Sequence, residues 1–243
     1  MYHTLDPDKI ISTLETLSKR IHERFPKSGL EAVGRQLTEI ARLTSARADK
    51  LAQPNYTMRI LIGIVLASCI ALLGWLAWLA LGLETSFELT NVMQGVDSAT
   101  SLMIVLGGGA FYLSTFEGRW RRDQAMKGLH ELRSIIHVID MHQLTKDPSA
   151  LGAPRTTSSP DRPMTAHQLL RYLGYCSELL SLSSKVAALY AEKVRDPAIV
   201  EAVGDIERLT ANLSQKIWQK IELIQERMPT RPPSDALGPK GTA

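Results

Sequence analysis

The chain has 243 residues, with 28 Lys+Arg against 25 Asp+Glu, two Cys, 44% hydrophobic and 22% charged residues. These values exclude a collagenous, disulfide-dense or wholly disordered chain, and the two cysteines have no zinc-knuckle spacing. The mean hydropathy of −0.05 suggests a soluble protein, but the average hides a very uneven distribution.

Asp6-Pro7 reads as an N-cap followed by proline at the first helical position. Ile10, Leu14, Leu17 and Ile21 then follow at helical spacing. Phe25-Pro26-Lys27-Ser28-Gly29 interrupts the pattern. Leu30, Val33, Leu37 and Ile40 open a second amphipathic helix that runs to about Ala52. Residues 1–57 are therefore expected to be a pair of polar-faced helices.

From Ile60 to Leu83 there are 24 residues without a charge. As helix this is roughly 36 Å, enough to cross a bilayer core of about 30 Å. From Ser98 to Phe116 come 19 more uncharged residues, about 28 Å of helix. The connection 84–97 carries Glu84, Glu88 and Asp97 and no Lys or Arg. Arg42, Arg47, Lys50 and Arg59 precede the first stretch, and Arg119, Arg121, Arg122 and Lys127 follow the second. The positive-inside rule then predicts a transmembrane hairpin over 58–117, with spans 60–83 and 98–116 and outer loop 84–97. Both termini would be cytoplasmic and the chain would sit in a cell membrane, the inner one in a bacterium. Gly63, Ala67, Ala71 and Gly74 form a small-residue face in the first span. Gly107, Ala110, Ser114 and Gly118 form one in the second. Such faces allow close helix approach, within one chain or between copies. No ionisable residue sits in the middle of either stretch, which argues against an ion relay.

The juxtamembrane segment 118–146 continues the helix with Leu129, Leu132, Ile136 and Ile139 on one face. Arg119, Arg121, Arg122 and Lys127 are the expected lipid-binding residues. Next to a bilayer, anionic headgroups are a better partner than nucleic acid, at about 1 kcal/mol per basic group. The same segment holds the densest polar cluster. His130, Arg133, His137 and Asp140 share one side of the helix, and His142 follows. His137 and Asp140 are i, i+3 neighbours and make the best nucleus for a metal. However, His130 and His137 are about 10 Å apart along the axis, too far to share one ion unaided. A solvated face, a metal or acid–base site, and a protonation switch are the three readings of this cluster.

His130-Glu131-Leu132-Arg133 resembles the phospho-acceptor box of sensor histidine kinases, in which it also lies on a cytoplasmic helix below a transmembrane hairpin. The resemblance implies His130 as the phosphorylated residue. It covers four residues. Ser134-Ile135 replaces the Thr-Pro of that family, and no Gly-rich ATP-binding segment follows.

Residues 147–164 read as a Pro/Ser-rich linker. Thr165-x-x-Gln168 has capping-box spacing. Leu169, Leu173, Cys176, Leu180, Ser183, Ala187, Tyr190 and Val194 then alternate at four and three. Asp196-Pro197 opens another helix, where Ile199, Val203, Ile206, Leu213, Ile217 and Ile224 keep the spacing and Thr210 and Lys220 interrupt it. A short turn between two such helices predicts an antiparallel hairpin over 165–228. It would either pack into a bundle or offer a coiled-coil surface to another chain. Residues 229–243 read as a disordered tail.

The expected fold is all-α: a two-helix transmembrane hairpin plus a cytoplasmic bundle of about five helices. No phosphate loop, nucleophile elbow or dinucleotide fingerprint is present. Cys69 and Cys176 read as packing residues. The pattern points to a membrane-anchored scaffold or adaptor that self-associates or binds a helical partner, with no cofactor. The alternatives are a membrane-bound metalloprotein or hydrolase built on His130, His137 and Asp140, and an oligomeric channel or membrane-perturbing effector.

Overall fold

The computed structural model describes residues 5–52, 56–81, 89–146, 157 and 164–228. Within the helices, the side chains at 52, 58, 59, 61, 76, 77, 79–81, 89–96, 99, 102, 103, 110 and 114 lie outside the description. The described residues are all-helical, in six helices and no strand: α1 (Pro7–Arg24), α2 (Gly29–Ala52), α3 (Tyr56–Leu81), α4 (Leu89–Leu144), α5 (Ala166–Lys193) and α6 (Pro197–Arg227).

Local chemistry sets the ends of these helices. The Asp6 carboxylate accepts from the backbone N–H groups of Asp8 and Lys9, with Pro7 in the first turn. Thr165 and Gln168 form a reciprocal capping box at the start of α5, and Asp196 caps α6 through the Ala198 N–H. Between α1 and α2, Lys27 takes a left-handed backbone with φ 57°. Glu31 reaches back and accepts the Lys27 N–H at 2.6 Å, while the Ser28 hydroxyl accepts the Glu31 N–H at 3.2 Å. This pair of bonds offsets the left-handed residue, which costs about 1 kcal/mol or more off glycine. Sequence reading places a break here but not this Ser28–Glu31 device.

Five helical segments form one core: α1, α2, the second half of α4, α5 and α6. Leu14, Ile21, Leu30, Leu37, Leu132, Ile136, Ile139, Leu173 and Leu180 are fully buried in it. The heptad-spaced residues of α5 and α6 point inward: Leu169 through Val194, and Ile199 through Ile224, are all buried. That stripe is therefore used by the chain's own bundle and is not a coiled-coil surface for another chain. Thr210, an expected polar defect, is buried and returns its hydroxyl to the Ile206 carbonyl at 3.0 Å, which satisfies the donor.

α4 is 56 residues long, or about 84 Å, and runs without a break from the apolar region into the bundle. It starts at Leu89, so residues 89–97 of the expected outer loop 84–97 are helical. Lys193 meets Asp49 at 3.1 Å and Arg122 meets Asp196 at 3.8 Å. The end of α2, the α5–α6 turn and the point where α4 enters the bundle thus lie together. α3 and the first half of α4 leave from this end.

Among the described residues no helix is long and apolar enough to cross a membrane. The structure therefore does not establish the expected transmembrane hairpin. Several positions of the uncharged run Ile60–Leu83 fall outside the described set. What is described there is apolar and outward-facing: Ile64, Ile70, Trp75 and Trp78 on α3, and Ile104, Val105 and Phe111 on α4, are each more than half exposed. A Cβ added at Gly63, Gly74, Gly107 or Gly118 would meet nothing within 4 Å. Among the described residues, the small-residue faces therefore make no contact through these glycines. The linker 147–164 and tail 229–243 lie almost wholly outside the described residues.

Candidate functional site

The polar cluster of α4 does not stay together in three dimensions. His130 and His137 are exposed on the outer side of the helix. Arg133 turns toward α6, 3.7 Å from the Asp205 carboxylate. Asp140 does not bond to His137; it accepts the Gln143 side-chain amide at 2.6 Å. His142 lies on the other side, with its ring packed on the backbone of Gly29 at the start of α2. Burial, and then the charge of Lys146, push the His142 imidazole below its ordinary pKa. Among the described residues, no group of three or more His, Cys, Asp or Glu is placed to hold a metal ion. The metal candidates His137 and Asp140 thus face different surroundings, and the geometry gives the metalloprotein reading no centre.

Residues from α4, α5, α6 and the α1–α2 turn do converge at the end of the bundle away from the α5–α6 turn. Gln143 is buried, and the Lys220 ammonium donates to its side-chain oxygen at 2.8 Å and its backbone carbonyl at 3.0 Å. Lys146 sits over the Tyr172 ring, 5.2 Å from its centroid. Phe25 meets Tyr172 and Tyr175 edge-on at 5.4 and 6.3 Å. Cys176 is fully buried beneath, its thiol pushed up to about 12 by burial. A thiol this hard to ionise is not a nucleophile. Burial likewise raises the Tyr172 hydroxyl. The arrangement locks helices together.

The expected lipid-binding residues also divide. Arg121 bonds Glu117 at 2.5 Å, with both side chains largely buried. Lys127 pairs with Asp123 at 2.9 Å. Arg122 faces Asp196 as described above, and Arg119 stacks over Tyr112 at 5.6 Å from the ring centroid. Two of these carboxylates, Glu117 and Asp123, stand four residues before their cations on the same helix and were available to sequence reading; Asp196, 74 residues from Arg122, was not. Sequence reading also missed the role of Lys220. The available signal was a lysine standing where the heptad spacing wants an apolar residue.

No protein-family model matches the chain, and neither the curated proteins nor the solved structures contain a significant match. No family or relative therefore assigns His130, or any other residue, a role.

Proposed function

We propose that this chain is a membrane-anchored helical scaffold or adaptor. α3 and the first half of α4 form its anchor, and the five-segment bundle is its interaction module on the cytoplasmic side. The observation that carries the reading is the pairing of two uncharged runs, Ile60–Leu83 and Ser98–Phe116, with outward-facing Ile, Val, Phe and Trp side chains on α3 and α4. Exposed apolar surface on this scale is rare on a protein surrounded by water. Lipid chains remove that cost, and a helix satisfies its own backbone there. The charge pattern supports the orientation: Arg119, Arg121 and Arg122 flank the anchor, and Lys or Arg is absent from 84–97. Arg121 and Arg122 are engaged with Glu117 and Asp196, whereas Arg119 rests over the Tyr112 ring, which makes Arg119 the basic residue best placed for anionic headgroups.

Alkaline carbonate extraction of membranes from cells expressing the full chain tests the anchor. The protein is expected in the pellet with integral membrane proteins. Release into the supernatant would overturn the reading.

A further inference from the structure

Cations from three parts of the chain meet at the anchor end of the bundle. The Arg122–Asp196 contact at 3.8 Å and the Lys193–Asp49 contact at 3.1 Å hold the α5–α6 turn and the last turn of α2 beside α4. These contacts engage Asp196 and Asp49, while Glu117 and Asp123 are engaged by Arg121 and Lys127. Glu192, just before the turn, accepts the Leu5 N–H at 3.2 Å. Left over are Lys50 on α2, Arg119 on α4 and Arg195 in the α5–α6 turn. All three are exposed, and among the described residues none of them is in an ion pair.

We propose that this end of the bundle is a docking surface for anionic phospholipid headgroups, in which Arg195 and Lys50 act together with Arg119. This deepens the scaffold reading and rests on its anchor. The structure supplies the depth. α4 runs unbroken through Phe116, the end of the uncharged run, to Arg122. Those six residues span about 9 Å along the axis. The polar layer of a bilayer is about 5–7 Å deep on each side, and charges act over a further Debye length of about 8 Å at physiological salt. Asp196 touches Arg122, so Arg195 beside it stands at headgroup depth, although 79 residues separate it from Phe116. Lys50 reaches the same level from the other side, six residues before α3 begins at Tyr56. Trp120, 46% exposed, stands next to Arg119, where an indole ring suits the membrane–water boundary. Neighbouring helix axes are about 8–10 Å apart, so cations on three elements match a plane of phosphates and not one small anion. Guanidinium and ammonium groups both bind phosphate oxygens. Docking through the α5–α6 turn fixes the bundle against the membrane instead of leaving it to pivot on α4.

The test places the full-length protein in lipid nanodiscs of phosphatidylcholine, with and without phosphatidylglycerol, and reads local protection by hydrogen exchange. The α5–α6 turn and the last turn of α2 are expected to exchange more slowly with phosphatidylglycerol, by about fivefold for each cation engaged. The end of α4 around Lys146, at the far end of the bundle, should exchange alike in both discs. Arg195→Gln with Lys50→Gln should remove the difference and leave exchange in phosphatidylcholine as in the wild type, since both side chains are on the surface. Arg195→Lys should keep it. Glycerol phosphate added to phosphatidylcholine discs should give no protection. Equal exchange in the two discs, a lipid effect that survives the double substitution, or protection by free glycerol phosphate overturns the docking surface. Carbonate extraction reads the anchor separately. A chain that stays in the pellet and ignores phosphatidylglycerol loses the docking surface alone, whereas a chain released by carbonate loses the anchor itself.

Discussion

Lys220 on α6 caps the C-terminal turn of α4 by donating to the Gln143 backbone carbonyl at 3.0 Å and its side-chain oxygen at 2.8 Å. The last four carbonyls of a helix have no partner within it. Gln143 is 1% exposed, so water does not serve this one freely. The Gln143 amide passes the interaction on to Asp140 at 2.6 Å.

Lys220→Met keeps the length of the side chain and removes the cap. It is expected to destabilise the bundle by about 1–3 kcal/mol, the cost of leaving the buried Gln143 side-chain oxygen unpaired; the Gln143 carbonyl keeps the Lys146 N–H at 3.1 Å. Thermal melting of the purified protein should show a clear fall in Tm. The exposed Lys216→Met should stay within about 0.5 kcal/mol of wild type. Equal effects at the two lysines would refute the capping role.

Tyr190 is fully buried in α5, and its hydroxyl lacks a hydrogen-bond partner. Arg47 lies close to that hydroxyl without bonding geometry and pairs with Glu131 at 2.8 Å; the Glu131 bond is the main reason its pKa is raised. Tyr190→Phe is therefore expected to be neutral or stabilising by up to about 1 kcal/mol, since it removes an unpaired polar group. The same ring fills the space over Gly128. Gly128→Ala should destabilise by about 1–3 kcal/mol, and Tyr190→Leu in the same chain should recover part of the loss. Independent, additive effects of the two substitutions would count against the contact.

Acid should weaken the bundle in two windows. Burial lowers the His142 pKa, so the folded state resists protonation that the unfolded state accepts. Its penalty begins as pH falls below 6.5, the ordinary histidine value. Glu31 is the depressed-carboxylate case, held down first by its bond with His22 and next by the Lys27 N–H. The stability it contributes is present above 4.5, its ordinary value, and is lost as pH falls through the lower folded value. A Tm series from pH 7.5 to 3.5 on wild type, His142→Gln and Glu31→Gln checks both. Each variant should lose the wild-type slope in its own window and keep it in the other.

His137→Ala and His130→Ala should leave stability within about 0.5 kcal/mol of wild type, because both side chains are on the outer side of α4. Metal analysis of wild type and variants should agree. Stoichiometric metal in the wild type, lost in His137→Ala, would return the metal-site reading.

Leu180→Ala tests the inward stripe. Leu180 is fully buried, and its truncation should cost about 2–5 kcal/mol even when the protein is held at concentrations where only monomer is present. Leu223, 48% exposed on α6, should tolerate alanine within about 1 kcal/mol. A Leu180→Ala effect that appears only in an oligomer would mean that the stripe serves another chain.

The helices were legible in the sequence because their signals are local. Asp6-Pro7, Thr165 with Gln168, and Asp196-Pro197 each bond to the turn that follows them, and the spacing of Ile10, Leu14 and Leu17 needs no distant partner to be read. The uncharged runs and the asymmetry of Lys and Arg around them are likewise fixed by composition alone. The tertiary structure decided what each face meets. Helical periodicity gives the angle of His130, Arg133, His137 and Asp140, but whether that angle points to solvent, to Asp205 or to Gln143 depends on where α6 lies. The same holds for Lys220, which breaks the heptad spacing in one dimension and caps α4 in three. Partners 77 residues apart leave no periodic trace in a single chain, because their pairing is set by the packing of the whole bundle.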